Sequence, residues 1–235
     1  MTTTAPITEP TQTAAREAAH PTRGSSTLRL VGGVALVVGP LLFSAGMLTS
    51  PPQESFSDAD YIAALSRDLT MTQISALFLH YANVLIGLGI LAAPSLVRGA
   101  RGMRLVVLGS LATALGFVNV SGMLLSDWWN SAAGSVLEPA QAEAVFAHVK
   151  AASLLPFWDG TETLSTIGTI MVLAGLARAG VLGWWTIALL VTGVAALIVL
   201  GSTLPVLAAG AVLVGFAPFA LIGMRLLQRH RLEGR

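Results

Sequence analysis

Apolar residues run along this chain in long unbroken blocks, with the polar residues gathered between them. The blocks cover about 29–50, 72–96, 105–125, 160–178, 182–202 and 205–225. Each holds roughly 20 residues, which as a helix rising about 1.5 Å per residue crosses the roughly 30 Å of bilayer hydrocarbon. Six membrane spans are predicted. The last two have to be separated by argument. No charged residue occurs from Val181 to Met224, and one helix over that stretch would be roughly 66 Å long, twice the hydrocarbon thickness. Gly201-Ser202-Thr203-Leu204-Pro205 is the cluster of helix breakers near its middle, so a tight hairpin is expected there. A signal peptide has a short basic leader and a short apolar core. Here the leader is long and the first block full length, so it reads as an uncleaved span.

Two connecting segments carry a periodicity of their own. Ser57-Asp58-Ala59-Asp60 has the form of an N-cap with acids in the first turn, and Tyr61, Ile62, Leu65 and Leu69 follow at helical spacing. Pro139 stands at a helix-starting position, with Val145, Phe146 and Val149 on one side. Two short interfacial helices on the outer face are expected. Residues 1–27 are rich in Thr, Ala and Pro and read as a disordered cytoplasmic tail. Residues 28–226 form the transmembrane domain, and 227–235 a basic cytoplasmic tail. The fold class is all-α, a polytopic transmembrane helix bundle.

Composition narrows the function. Charged residues are 11% of the 235 and hydrophobic ones 54%, whereas a soluble domain carries about 25% charged. That excludes an ordinary soluble enzyme and a disordered chain, and a net charge of +1 offers nucleic acid no electrostatic footprint. With no cysteine there is no disulfide, Cys-ligated metal or lipobox. Lys150 is the single lysine among 13 basic residues. That arginine bias, with the excess of Ala and Gly, suits a GC-rich bacterial genome and hence a bacterial plasma membrane.

Orientation follows from the basic residues, which accumulate on the cytoplasmic side. With the N-terminus inside, that side holds Arg16, Arg23, Arg29, Arg98, Arg101, Arg104, Arg178, Arg225, Arg229, Arg231 and Arg235, and the other only Arg67 and Lys150. Both termini are therefore predicted to be cytoplasmic. The tryptophans agree: Trp128, Trp129 and Trp158 mark the outer interface, and Trp184 and Trp185 the inner one.

Polar groups inside spans are costly and are candidates for function. His80 lies about two turns inside the outer end of span two, with Gln73, Asn83 and Gly87 near the same face. Span three offers Asn119, Gly122 and Ser126 on one face, then Asp127 at the interface. Span four opens Phe157-Trp158-Asp159-Gly160-Thr161-Glu162, and Asp159, Glu162, Thr166 and Thr169 share a face. A polar cavity opening outward between spans two, three and four would satisfy all of them. His80, Asn83, Asn119, Asp127, Trp158, Asp159 and Glu162 are its candidate ligand-binding or proton-binding residues. Each also has a structural explanation: interhelical hydrogen bonding for His80 and Asn83, helix capping for Asp159 and Glu162, interfacial anchoring for Asp127 and the tryptophans.

Catalytic templates fail. There is no H-E-x-x-H, no Walker A loop and no G-x-S-x-G. No catalytic residue, metal site or cofactor is predicted. A zinc hydrolase using His80, His148, Asp127, Asp159 and Glu162 would have acceptable ligand types without a ligand spacing. Phe78-Leu79-His80 leading into a Gly-rich helix, followed by Arg98-Gly99-Ala100-Arg101-Gly102, resembles small six-span integral membrane proteins of actinobacterial type. The resemblance implies a six-span membrane protein and no activity. The expected function is non-enzymatic: binding a small apolar or amphipathic ligand, or a partner protein, through the outward cavity. The alternatives are a small proton-coupled secondary transporter and a membrane-embedded metal hydrolase. The expected partners are the lipid bilayer and a second copy or another membrane protein, with no nucleic acid.

Overall fold

The computed structural model describes residues 23–200 and 204–233. Among them every regular element is a helix: α1 Arg23–Thr49, α2 Asp58–Arg67, α3 Leu69–Ile90, a 3-10 turn Ala93–Leu96, α4 Met103–Leu124, α5 Ser126–Val136, α6 Pro139–Lys150, α7 Leu155–Asp159, α8 Glu162–Arg178, α9 Trp185–Leu200, α10 Pro205–Gly215 and α11 Ala217–Glu233. Four apolar helices, Ser26–Thr49, Leu69–Ile90, Met103–Val136 and Leu155–Arg178, are long enough to cross a membrane. The bent pair α10–α11 makes a fifth when read as one span, and α9, with 16 residues, is shorter. Large apolar side chains such as Leu41, Leu88, Leu108, Leu111, Leu115 and Ile198 stand exposed along the flanks. A water-soluble surface rarely carries so much contiguous apolar area, so these helices suit a membrane-embedded bundle.

The long helices pack as a ring. α8 lies on α4, α4 on α3, α3 on α1, and α1 on α10 and α11, while α9 packs on α10 and more lightly on α8. Lipid removes the hydrophobic force between spans, so close backbone approach and polar contacts hold them together. The α4–α8 seam shows it. A Cβ added to Gly109 would come within 2.7 Å of the Gly168 carbonyl oxygen and 2.8 Å of the Val172 nitrogen. The aromatic centre is set by Phe216, whose ring meets Phe43, Phe117 and Phe219 edge-on, with centroids 5.0, 6.0 and 5.4 Å away.

Several boundaries differ from the sequence expectation. The expected block 72–96 ends as an α-helix at Ile90, because Pro94 permits only the short 3-10 turn that follows. The expected span 205–225 is bent by 43°. Pro218 lacks an N–H and its ring crowds the carbonyl four residues back, so the helix breaks at Phe216 and the Phe219 N–H donates to the Phe216 carbonyl at 3.0 Å. The two short helices expected between spans are present as α2 and α6, and α5 and α7 are added to them. Of the expected tail 1–27, residues 1–22 lie outside the described residues, whereas Arg23 already starts α1. In the expected tail 227–235, α11 continues to Glu233 and residues 234–235 lie outside the described residues. The expected hairpin at 201–205 falls mainly on residues 201–203, also outside them. α9 ends at Leu200 and α10 begins at Pro205.

The two ends of the ring are unlike. One gathers Arg29, Arg98, Arg101, Arg104, Arg178, Arg225, Arg229 and Arg231, and we call it the arginine end. There Arg29 is ion-paired with Glu233 and donates through Nε to Ser95 Oγ at 3.3 Å, Arg229 donates to the Ser95 carbonyl, and Ser26 Oγ lies 2.7 Å from His230 Nδ1. These bonds dock the last turns of α11, the stretch expected to be a tail, onto α1 and the 3-10 turn. The opposite, capped end is covered by α2, α5, α6 and α7.

Candidate functional site

The cap begins where α4 runs on into α5. Met103–Val136 is a nearly continuous rod of 34 residues, about 51 Å long at helical rise, more than the roughly 30 Å that a span requires. Its last third, α5, forms one wall of the cap. The amphipathic α2 packs on α5. Its start is fixed locally: the Asp60 N–H donates to the N-cap Ser57 Oγ at 3.1 Å. Gly134 lets the two helices meet, since a Cβ there would lie 2.7 Å from Ile62 Cγ2. α6 begins at Pro139 and closes the other side, where Lys150 reaches Asp58 at 3.0 Å and sits 5.1 Å over the Phe146 ring.

Under this cap lies a chamber of about 380 Å³. One wall is polar. Tyr61 donates its hydroxyl hydrogen to Asp127 Oδ1, and Asn130 Nδ2 donates to the Tyr61 oxygen at 3.4 Å. Burial pushes the Asp127 carboxyl up to about 6, against the hydrogen bond from Tyr61, which favours its ionised form. The Tyr61 phenol is raised, first by burial and then by the negative charge of Asp127. Near neutral pH the pair is thus a carboxylate held by a neutral phenol. The rest of the wall is apolar, from Val120, Met123, Leu124, Val149 and Leu155, and Trp158, Asp159 and Glu162 stand at its α7–α8 side.

A second, smaller space of about 110 Å³ lies at the centre of the ring. Phe43 of α1, Asn83 of α3, Phe117 of α4, Thr169 of α8, Leu190 of α9 and Phe216 at the bend all line it. Glu162 and Val120 line both spaces. Asn83 is 1% exposed, and its Nδ2 donates to the Leu79 carbonyl at 2.7 Å while its Oδ1 has no hydrogen-bond partner. A carbonyl can only accept, so the amide cannot be turned round to satisfy the oxygen.

The seven candidates therefore do not share one cavity. Asp127, Trp158, Asp159 and Glu162 come together around the chamber. Asn83 lines the central crevice. His80 faces α4, where its Nδ1–H donates to the Ser121 carbonyl at 3.1 Å with the Ser121 hydroxyl at 3.0 Å, and Asn119 donates to Thr161 Oγ1 at 2.8 Å. Those two are interhelical ties, the arrangement that polar groups in spans usually adopt. Among the described residues no three or more His, Asp or Glu side chains lie close enough to hold a metal ion. Tyr61, Asn130, Phe146 and Lys150 belong to the chamber without having been singled out. The one available signal was Tyr61 on the apolar face of its short helix. No family model matches the chain, and neither does a curated protein or a solved structure.

Proposed function

We propose that the protein is a six-span, non-enzymatic receptor of a bacterial plasma membrane that binds a small amphipathic ligand in the chamber under its cap. In this reading α9 and the pair α10–α11 are spans five and six, both termini are cytoplasmic, and the capped end faces outward. The arginine asymmetry supports the orientation. A reporter fused after Arg235 should then read as cytoplasmic and one inserted at Gly134 as external; the reverse pair of readings overturns it.

The chamber carries the ligand reading. Pockets for small ligands are mostly apolar with a few placed polar groups, and this one offers an apolar wall facing the Tyr61–Asp127–Asn130 triad. Three carboxylates line it and its ammonium, Lys150, is engaged by Asp58, so the head group that fits is cationic. Binding of an alkyltrimethylammonium and of an alkyl sulfate of equal chain length, followed by tryptophan fluorescence in nanodiscs, tests this. The cationic probe should bind more tightly, and Met123→Trp, which fills the chamber, should abolish the signal. Equal response to both heads, or a response unchanged in Met123→Trp, refutes it.

One observation favours a second reading, a small secondary transporter. The chamber and the central crevice share Glu162 and Val120, and the bend at Phe216 borders the crevice. Interrupted helices beside a mid-membrane site are a feature of transporters. Substrate or proton flux in proteoliposomes separates the two readings.

A further inference from the structure

We propose that the central crevice is a binding site for a monovalent cation, with Asn83 as its buried oxygen ligand and Glu162 at its mouth. The inference deepens the proposed function and rests on it only in taking the chamber as the route of access.

The argument is an inventory of donors and acceptors. Asn83 brings a buried oxygen with both lone pairs unused, while one of its two amide hydrogens is given to the Leu79 carbonyl. An unpaired amide oxygen in so dry a place is costly, and the cost is relieved by anything that brings it a positive charge or a hydrogen. Two neighbouring hydroxyls cannot relieve it, because their hydrogens are committed elsewhere. Thr169 Oγ1 donates to the Ser165 carbonyl at 2.6 Å, and Ser165 Oγ donates to the Glu162 carbonyl at 2.6 Å. Each of these oxygens is left with lone pairs only, and both residues line the crevice. Acceptors thus predominate in the polar lining, which also includes the Thr166 hydroxyl, around a space bordered by Phe43, Phe117 and Phe216.

Size and charge fix the class. A space of about 110 Å³ is too small for an amphiphile and sufficient for an ion with a few waters. Neutral oxygens with one carboxylate form a hard donor set, suited to hard cations. Glu162 is the ionisable group in the lining, and it cannot balance a divalent ion. From the chamber side Glu162 is faced by Asp127 and Asp159, with Lys150 the one cation there among the described residues. That excess of negative charge draws a cation inward. An alkali ion and a hydronium ion present the same chemistry to these acceptors, and the experiment tells them apart.

The test uses the full-length protein in detergent with no amphiphilic ligand added. Melting temperatures are recorded in sodium, lithium, potassium and choline chloride at one ionic strength across pH 5–8, and proton uptake is measured in choline. An alkali site predicts a saturable rise in melting temperature with sodium or lithium over choline. Its half-saturating concentration should increase at least about tenfold in Asn83→Leu and in Glu162→Gln, the factor carried by one hydrogen bond to a charged group. Should Asn83→Leu fail to fold, Asn83→Asp replaces it, and the added charge should lower the half-saturating concentration. A hydronium site predicts no alkali effect but a pH-dependent melt with proton uptake, both diminished in Glu162→Gln and altered in the Asn83 variant. Melts that neither alkali ions nor pH shift in a manner dependent on Asn83 and Glu162 overturn the proposal. That failure would leave amphiphile binding in the chamber intact, and loss of amphiphile binding would leave a sodium-dependent melt intact.

Discussion

The arginine end and the capped end solve the same problem in opposite ways. Each must take polar side chains from a bundle of apolar helices to the membrane boundary. At the arginine end the least exposed groups are spent on one another. Arg29 is 9% exposed and paired with Glu233, and Arg229 is bonded to the Ser95 carbonyl. At the capped end polar groups are held apart around open space, and one of them, Asp127, keeps a carboxyl pushed up to about 6. A knot of satisfied charges fixes geometry, whereas a separated set with a perturbed acid leaves interactions for something else to complete.

The comparison can be broken at its strongest point first. Replacing Arg29 by Met should destabilise the protein by roughly 2–3 kcal/mol, because it strands a carboxylate only a quarter exposed. The loss stays below that of a fully buried pair since Arg229 remains 4.0 Å from Glu233. Reversible unfolding of Arg29→Met, Glu233→Gln and the double variant measures it. A coupling near zero would mean the arginine end is no more knitted than the cap.

A comparable effect, with a pH signature, is expected at Asp127. Its folded pKa, about 6 against a reference of 3.8, means the folded state holds this proton more tightly than the unfolded chain. Stability from this group is therefore greatest below about pH 4 and is lost as pH rises through 6. The full cost at pH 7.5 is roughly 3 kcal/mol. Melting temperature should fall between pH 4.5 and 7.5, and Asp127→Asn should flatten that slope and melt higher at pH 7.5. A slope unchanged by the substitution would remove Asp127 as its source.

His80→Ala should cost roughly 1 kcal/mol, the value of one interhelical hydrogen bond. The change should be additive with Asp159→Asn and Glu162→Gln, because His80 is tied to Ser121 and not to the carboxylates. Coupling above about 0.5 kcal/mol would return His80 to the chamber. The smallest effect belongs to the cap's own ion pair. Lys150 and Asp58 are 53% and 40% exposed, so Lys150→Met should change stability by less than about 0.5 kcal/mol. A loss as large as that of Arg29→Met would erase the distinction between the two ends.

Much of this was legible in the sequence because it is local. The apolar blocks needed only their length, Ser57 and Pro139 marked helix starts through bonds made within one turn, and the arginines sorted themselves by end. Pro218 signalled the bend at Phe216 in the same local way, although the apolar run around it read as one straight span. The amphipathic α5 was not anticipated, since its Ser-, Ala- and Gly-rich stretch acquires a buried face only when α2 lies on it. The grouping of Asp127, Trp158, Asp159 and Glu162 followed from their shared depth, but His80 and Asn119 have the same polarity near that depth and were expected beside them.

What the sequence determined alone is therefore the long helices, their apolar character and the gathering of arginines at one end, because hydropathy, capping and proline act over a few residues. Which polar group meets which was decided by tertiary structure. Tyr61 reaches Asp127 across 66 residues and His80 reaches Ser121 across 41. Asn83 is left with a bare oxygen because its amide nitrogen is held by Leu79 of its own helix and, among the described residues, no donor from a neighbouring helix reaches the oxygen. Rotation of a helix about its own axis is fixed by packing against neighbours, and small shifts in that packing choose between a hydrogen bond, a cavity wall and lipid.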